Sequence, residues 1–147
     1  MGVKVKIGER GLTLIELLIV VVIIAIIASF AYPAYQSNKV KVSRNEAKSE
    51  MLFVVQRMQA YKATNGNYLG ATINQLYGAN TLPKSGGANY TLAFQAAPTA
   101  STWTLVATPV TTGPQAQDGV LCIDHQNRTF WSKGENACAL TETSNWN

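Results

Sequence analysis

Along this chain the apolar positions fall into three regimes. From Leu17 to Phe30 every residue except Ser29 is apolar, and counted from Leu12 the run reaches about 20 residues at Ala31. As a helix, that length just crosses a hydrocarbon core of about 30 Å. After Pro33 the pattern becomes amphipathic. Val40, Ala47, Met51, Val54, Met58 and Tyr61 recur at steps of seven, four, three, four and three, which is one stripe on a helix. Lys39, Lys41, Arg44, Glu46, Lys48 and Glu50 make the first part of that helix mainly polar. Its end is signalled by Thr64-Asn65-Gly66-Asn67, residue types that tolerate left-handed backbone.

From Asn67 the composition shifts to Gly, Ala, Thr, Asn and Pro with short strand-like runs. Tyr90 to Phe94 alternates with period two, and Thr102 to Thr108 is rich in β-formers. Gly119 to Asp124 and Arg128 to Trp131 flank a short polar turn and predict a hairpin. Four antiparallel strands, one face packed on the amphipathic helix, make an α+β head. Pro98, Pro109 and Pro114 fall between these runs or at their ends, as a sheet requires. The predicted organisation is a leader over 1–11, a hydrophobic helix over 12–33, an amphipathic helix over 34–66 and a β head over 67–147.

Charge adds little to this picture. The chain of 147 residues has 12 Lys+Arg against 8 Asp+Glu. Lys4, Lys6, Glu9 and Arg10 belong to the leader, and without them the surplus falls to +2. That does not argue for nucleic acid. The basic segment Lys39 to Lys48 reads as a solvated or inter-subunit helix face, with lipid headgroups or DNA as alternatives. On the head, Lys84, Arg128 and Lys133 are scattered and form no stripe.

The front end admits three readings: a secretory signal cut after Ala31, an uncleaved anchor, or a leader cut before the apolar run. The leader's positive charge keeps it cytoplasmic and sends the C-terminal part outside. Glu16 tilts the choice. An acid in a spanning helix costs roughly 2.5–3.5 kcal/mol at its centre and less near the interface, so the first two readings carry it to no purpose.

Gly11-Leu12-Thr13-Leu14-Ile15-Glu16 followed by the aliphatic run resembles the class III signal of type IV pilins and pseudopilins. The resemblance implies cleavage between Gly11 and Leu12 by a prepilin peptidase on the cytoplasmic side, then N-methylation of Leu12, where the family's usual residue is Phe. It also implies that Glu16 meets the Leu12 amine of a neighbouring subunit and sets axial register, since a buried acid and amine are each less costly together than alone. Pro33 is then a kink or weak point in the helix. Leu12 to Asn65 spans roughly 80 Å if helical throughout, which suits a filament subunit and no compact soluble domain.

The head extends the resemblance. Tyr61 with Asn65-Gly66-Asn67-Tyr68, Trp103-Thr104-Leu105 with Ala107-Thr108-Pro109, Gln115-Ala116-Gln117-Asp118, Cys122 and Cys138 look like the PilE-type minor pilin group. That group often has an aromatic directly after the last cysteine. Here Ala139 follows, and Trp146 comes later. The pilin fold, a long N-terminal helix on a four-stranded antiparallel sheet, is therefore expected. The implied partners are other pilins, the peptidase and methyltransferase, the inner-membrane assembly machinery, and lipid before assembly. The implied location is the inner membrane with a periplasmic C-terminus, then the extracellular pilus.

Cys122 and Cys138 lack the company a metal site needs, and His125 is the lone histidine. In an exported head a disulfide is the default, and it closes a loop worth roughly 3 kcal/mol in the chain-entropy model. Asp124-His125 is the pair closest to catalytic chemistry, but no framed nucleophile accompanies it. No catalytic residue, metal or cofactor is expected. The leading reading is a type IV pilus minor pilin supporting pilus biogenesis, twitching motility, adhesion and DNA uptake. A DNA-binding competence pilin and a type II secretion pseudopilin are the alternatives. Pseudopilins often replace the disulfide with a calcium site, so the two cysteines tilt toward the pilus.

Overall fold

A computed structural model describes residues 11–147. The predicted leader lies, apart from Gly11, outside the described residues. Two compact units divide the chain, one ending at Ser37 and the other comprising Asn38–Asn147. Helix α1 is Leu14–Asn65, with Pro33 inside it. Proline lacks an amide hydrogen, so the bond it would donate to the carbonyl of Ser29 is missing. The Ser29 hydroxyl donates to the Ile26 carbonyl at 2.7 Å, within the preceding turn.

α1 ends as its sequence predicts. Gly66 takes φ of 78° and donates its amide to the Lys62 carbonyl at 2.7 Å, a left-handed stop that costs glycine little. A second helix, α2 (Ile73–Leu76), is one turn long. It is held by a capping box in which Thr72 and Gln75 each satisfy the other's backbone amide.

The sheet has five strands: β1 (Thr81–Leu82), β2 (Tyr90–Phe94), β3 (Thr104–Pro109), β4 (Leu121–Asp124) and β5 (Thr129–Trp131). They lie in chain order and every neighbouring pair is antiparallel. The four predicted strands are β2 to β5. The expected count of four is corrected by β1, which pairs Thr81 with Thr91 and Leu82 with Tyr90. Two residues ahead of Pro83 offer no alternation from which a strand could be read.

Within the second unit the core follows from two periodicities. From α1 come Ala47, Met51, Val54, Val55 and Met58; Val40 and Tyr61, at the ends of the predicted stripe, are half-buried. From the sheet come every second residue: Tyr90 and Leu92 of β2, Leu105 and Ala107 of β3, Leu121 and Ile123 of β4. All four residues of β4 are buried. Its second face is covered because Cys122 is disulfide-bonded to Cys138, with 6.1 Å between their Cα atoms.

Candidate functional site

The N-terminal segment is organised by Thr13 and Glu16. Thr13 stands immediately before α1, and its carbonyl accepts the amide of Leu17 at 3.2 Å. Its hydroxyl oxygen accepts the amide of Glu16 at 3.3 Å. In return, Glu16 Oε2 accepts the backbone amide of Thr13 at 2.9 Å and its hydroxyl at 2.8 Å. This is a reciprocal capping box. It gives Glu16 a task within its own chain that the sequence analysis missed, although the T-x-x-E spacing ahead of an apolar run signals it. Oε1 accepts no hydrogen bond among the described residues.

Gly11 and Leu12 precede the first helical residue, and no other residue crowds a Cβ placed on Gly11. Leu12 is 81% exposed. From Leu14 to Ile27 each large aliphatic side chain is about half exposed or more within the chain. An apolar surface this continuous is stable only against lipid or other chains.

The head carries a polar cluster that the sequence analysis did not assemble. Asp118 is buried and forms a bidentate ion pair with Arg44 of α1, one arm being Nε to Oδ2 at 2.8 Å. Asp118 Oδ2 also accepts from the Tyr90 hydroxyl and from Gln115 Nε2, the latter at 2.9 Å. Gln115 further donates to the Val40 carbonyl at 3.3 Å. The Arg44 guanidinium lies 3.7 Å from the centroid of the Trp131 ring, and the Trp131 indole donates to the Asp118 carbonyl at 2.9 Å. The hydrogen bond that Arg44 donates to Asp118 holds the Arg44 pKa above its ordinary value. Burial and the Asp118 bond push the Tyr90 phenol upward as well. One step along the helix, Lys48 Nζ donates to the Trp146 carbonyl, and the Trp146 indole donates to the Cys122 carbonyl at 3.0 Å.

The basic segment is thus split by function. Arg44 and Lys48 are committed internally, while Lys39 and Lys41 stay exposed. Asp124 is likewise committed. Its Oδ1 accepts the amides of Gln126 at 3.0 Å and Arg128 at 2.9 Å, its Oδ2 accepts Arg128 Nε at 2.7 Å, and Arg128 Nη2 lies 2.6 Å from Oδ2 in an ion pair. It orders the β4–β5 turn and is not hydrogen-bonded to the His125 ring. Among the described residues there is no group of three His, Cys, Asp or Glu able to hold a metal ion.

Comparison with known proteins supplies the family. A model described as "Type IV minor pilin ComP, DNA uptake sequence receptor" matches residues 33–126, and the prokaryotic N-terminal methylation motif matches residues 7–32. This chain belongs to the type IV minor pilin ComP family. Membership places it among structural pilin-like proteins, as the resemblance of both the front motif and the head implied.

Type II secretion system core protein G of Escherichia coli (strain K12) is 37% identical over 86 residues, covering 56% of this chain and 57% of that protein. The same protein of Pectobacterium carotovorum subsp. carotovorum is 35% identical over 60 residues, covering 41% and 38%. The chain therefore spans between 38% and 57% of the length of the curated relatives it matches. A crystal structure of the Neisseria meningitidis non-core minor pilin PilV superposes with a TM-score of 0.54 at 18% identity, covering 69% of this chain and 95% of that one. That likeness shows the pilin fold.

Proposed function

We propose that this minor pilin is cut between Gly11 and Leu12, N-methylated on Leu12, held by the 12–33 segment in the inner membrane with its head periplasmic, and then assembled into a type IV pilus. The observation that carries the proposal is the coincidence of a methylation motif over residues 7–32 with a minor-pilin match over 33–126. The exposed aliphatic helix supports it, because such a surface needs lipid first and neighbouring subunits afterwards.

Glu16 has two roles in this reading. Oε2 caps its own helix, and Oε1 meets the new amine of Leu12 on a neighbouring subunit, fixing axial register. Pro33 gives the helix a point at which to yield as the subunit leaves the bilayer. Its partners are other pilins, the prepilin peptidase and methyltransferase, and the inner-membrane assembly machinery. Through the pilus it supports pilus biogenesis, twitching motility, adhesion and DNA uptake.

Mass spectrometry of protein sheared from the cell surface tests this reading. A mature terminus of N-methyl-Leu12 is expected; a terminus at Tyr32 would replace it with a secreted head lacking the assembly helix. A second reading, a head that itself captures DNA, is favoured by the DNA uptake sequence receptor named in the family description. Its test is retention of duplex DNA by the purified chain, with a steep loss of binding as salt is raised.

A further inference from the structure

A cavity of about 190 Å³ opens where two hairpin loops meet, one between β2 and β3 and the other between β4 and β5. Gln95, Trp103, Thr104, Asp124, His125 and Arg128 line it. Three observations define what it can hold.

The first is size. An engineered cavity of about 150 Å³ accepts benzene, so this one suits a single six-membered ring with substituents.

The second is charge. The permanent charges on the wall, Arg128 and Asp124, form an ion pair with each other and cancel. Asp124 accepts one hydrogen bond from that guanidinium and two from the turn backbone and pairs with Nη2, so Arg128 is locked in place while its Nη1 is free of hydrogen bonds among the described residues. Lys84 and Lys133 are not on the wall. A polyanion finds no run of cations here.

The third is hydrogen bonding. Trp103 is only 3% exposed, yet its indole N–H has no partner among the described residues, and a buried donor left unmet is unfavourable. The ring of His125, the amide of Gln95 and the hydroxyl of Thr104 also carry no hydrogen bond among the described residues. Donors and acceptors are therefore mixed around a neutral, ring-sized space. Hydroxyl groups, each both donor and acceptor, complement that mixture.

We propose that this cavity binds one neutral pyranose ring of a glycan. The inference does not depend on cleavage at Gly11 or on filament assembly, and it adds a ligand class to the head.

The test titrates the full chain, in a detergent without a sugar headgroup, with the methyl glycosides of glucose, galactose, mannose and N-acetylglucosamine. The readout is the Trp103 indole N–H resonance. At least one glycoside is expected to give a saturable shift, and Gln95→Ala and Thr104→Val should each weaken it by about tenfold while distant resonances stay in place. Absence of a saturable shift with all four sugars overturns the proposal, as does equal binding by both variants. A shift produced by duplex DNA and by none of the sugars overturns it too, and makes the cavity a nucleic-acid contact.

Discussion

Arg44 and Asp118 are 74 positions apart in sequence and form the ion pair on which the helix-facing polar cluster of the head is built. The pair is unequal: the Asp118 side chain is 1% exposed and that of Arg44 15%. Asp118 therefore depends on its partners more than Arg44 does. Arg44→Ala strands a buried carboxylate and is expected to cost about 3 kcal/mol, read by denaturant unfolding. Asp118→Asn keeps the shape and leaves Arg44 within reach of water, so a smaller loss is expected. Equal losses would refute the asymmetry.

The head should weaken at alkaline pH. Burial is the main cause that raises the Tyr77 pKa from 10.0 to about 12, and Glu50 adds to it; Tyr90 is raised by burial and Asp118. A folded-state pKa above the unfolded one means that the native state keeps its protons longer. Stability is unaffected below pH 10 and falls as pH rises from 10 through about 12. Thermal unfolding across that window should show the decline, and Tyr77→Phe should make it shallower. A flat profile would argue against burial of both phenols.

Gly119 is held where no other residue fits. Its φ is +96°, and a Cβ there would lie 2.1 Å from the Ser132 carbonyl oxygen. Gly119→Ala should destabilise the head by at least about 2 kcal/mol, since backbone strain and a backbone clash add. Gly66→Ala is the control, with φ of +78° and open space around it; left-handed strain alone predicts about 1 kcal/mol. Unfolding midpoints of the two variants check the order.

Thr13 separates the two roles assigned to Glu16. Thr13→Val removes the hydroxyl half of the capping box but leaves the carboxylate, so helix stability should fall by about 1 kcal/mol while incorporation into pili persists. Glu16→Ala removes both and should still be cleaved yet assemble poorly. The same assembly defect in both variants would reduce Glu16 to a capping residue. Pili sheared from cells carrying each variant, probed for this subunit, give the comparison.

What could be read from the chain follows the range of the interaction. Met51, Val54 and Met58 announce their helix face by spacing alone, and Tyr90 and Leu92 announce their sheet face in the same way. Gly66 ends α1 through its own backbone freedom. The Arg44–Asp118 cluster was not legible, because loop residues between β3 and β4 acquire their partner on α1 only through tertiary packing. Ser43 was hidden similarly: a polar residue on the buried stripe, satisfied by Asn89 at 3.2 Å. The Thr13–Glu16 box was legible, since T-x-x-E ahead of an apolar run is a local spacing that needs no tertiary partner.

The disulfide covers only part of the sheet, and that sets where this head can change over evolutionary time. β4 has a neighbour against every side chain, so a substitution at Leu121, Cys122 or Ile123 disturbs one layer or the other. Thr91, Ala93 and Thr108 are exposed on the far side of β2 and β3 and carry no such constraint. Substitutions should be tolerated at those three positions and not in β4, leaving a head whose exposed face can change while its scaffold stays the same.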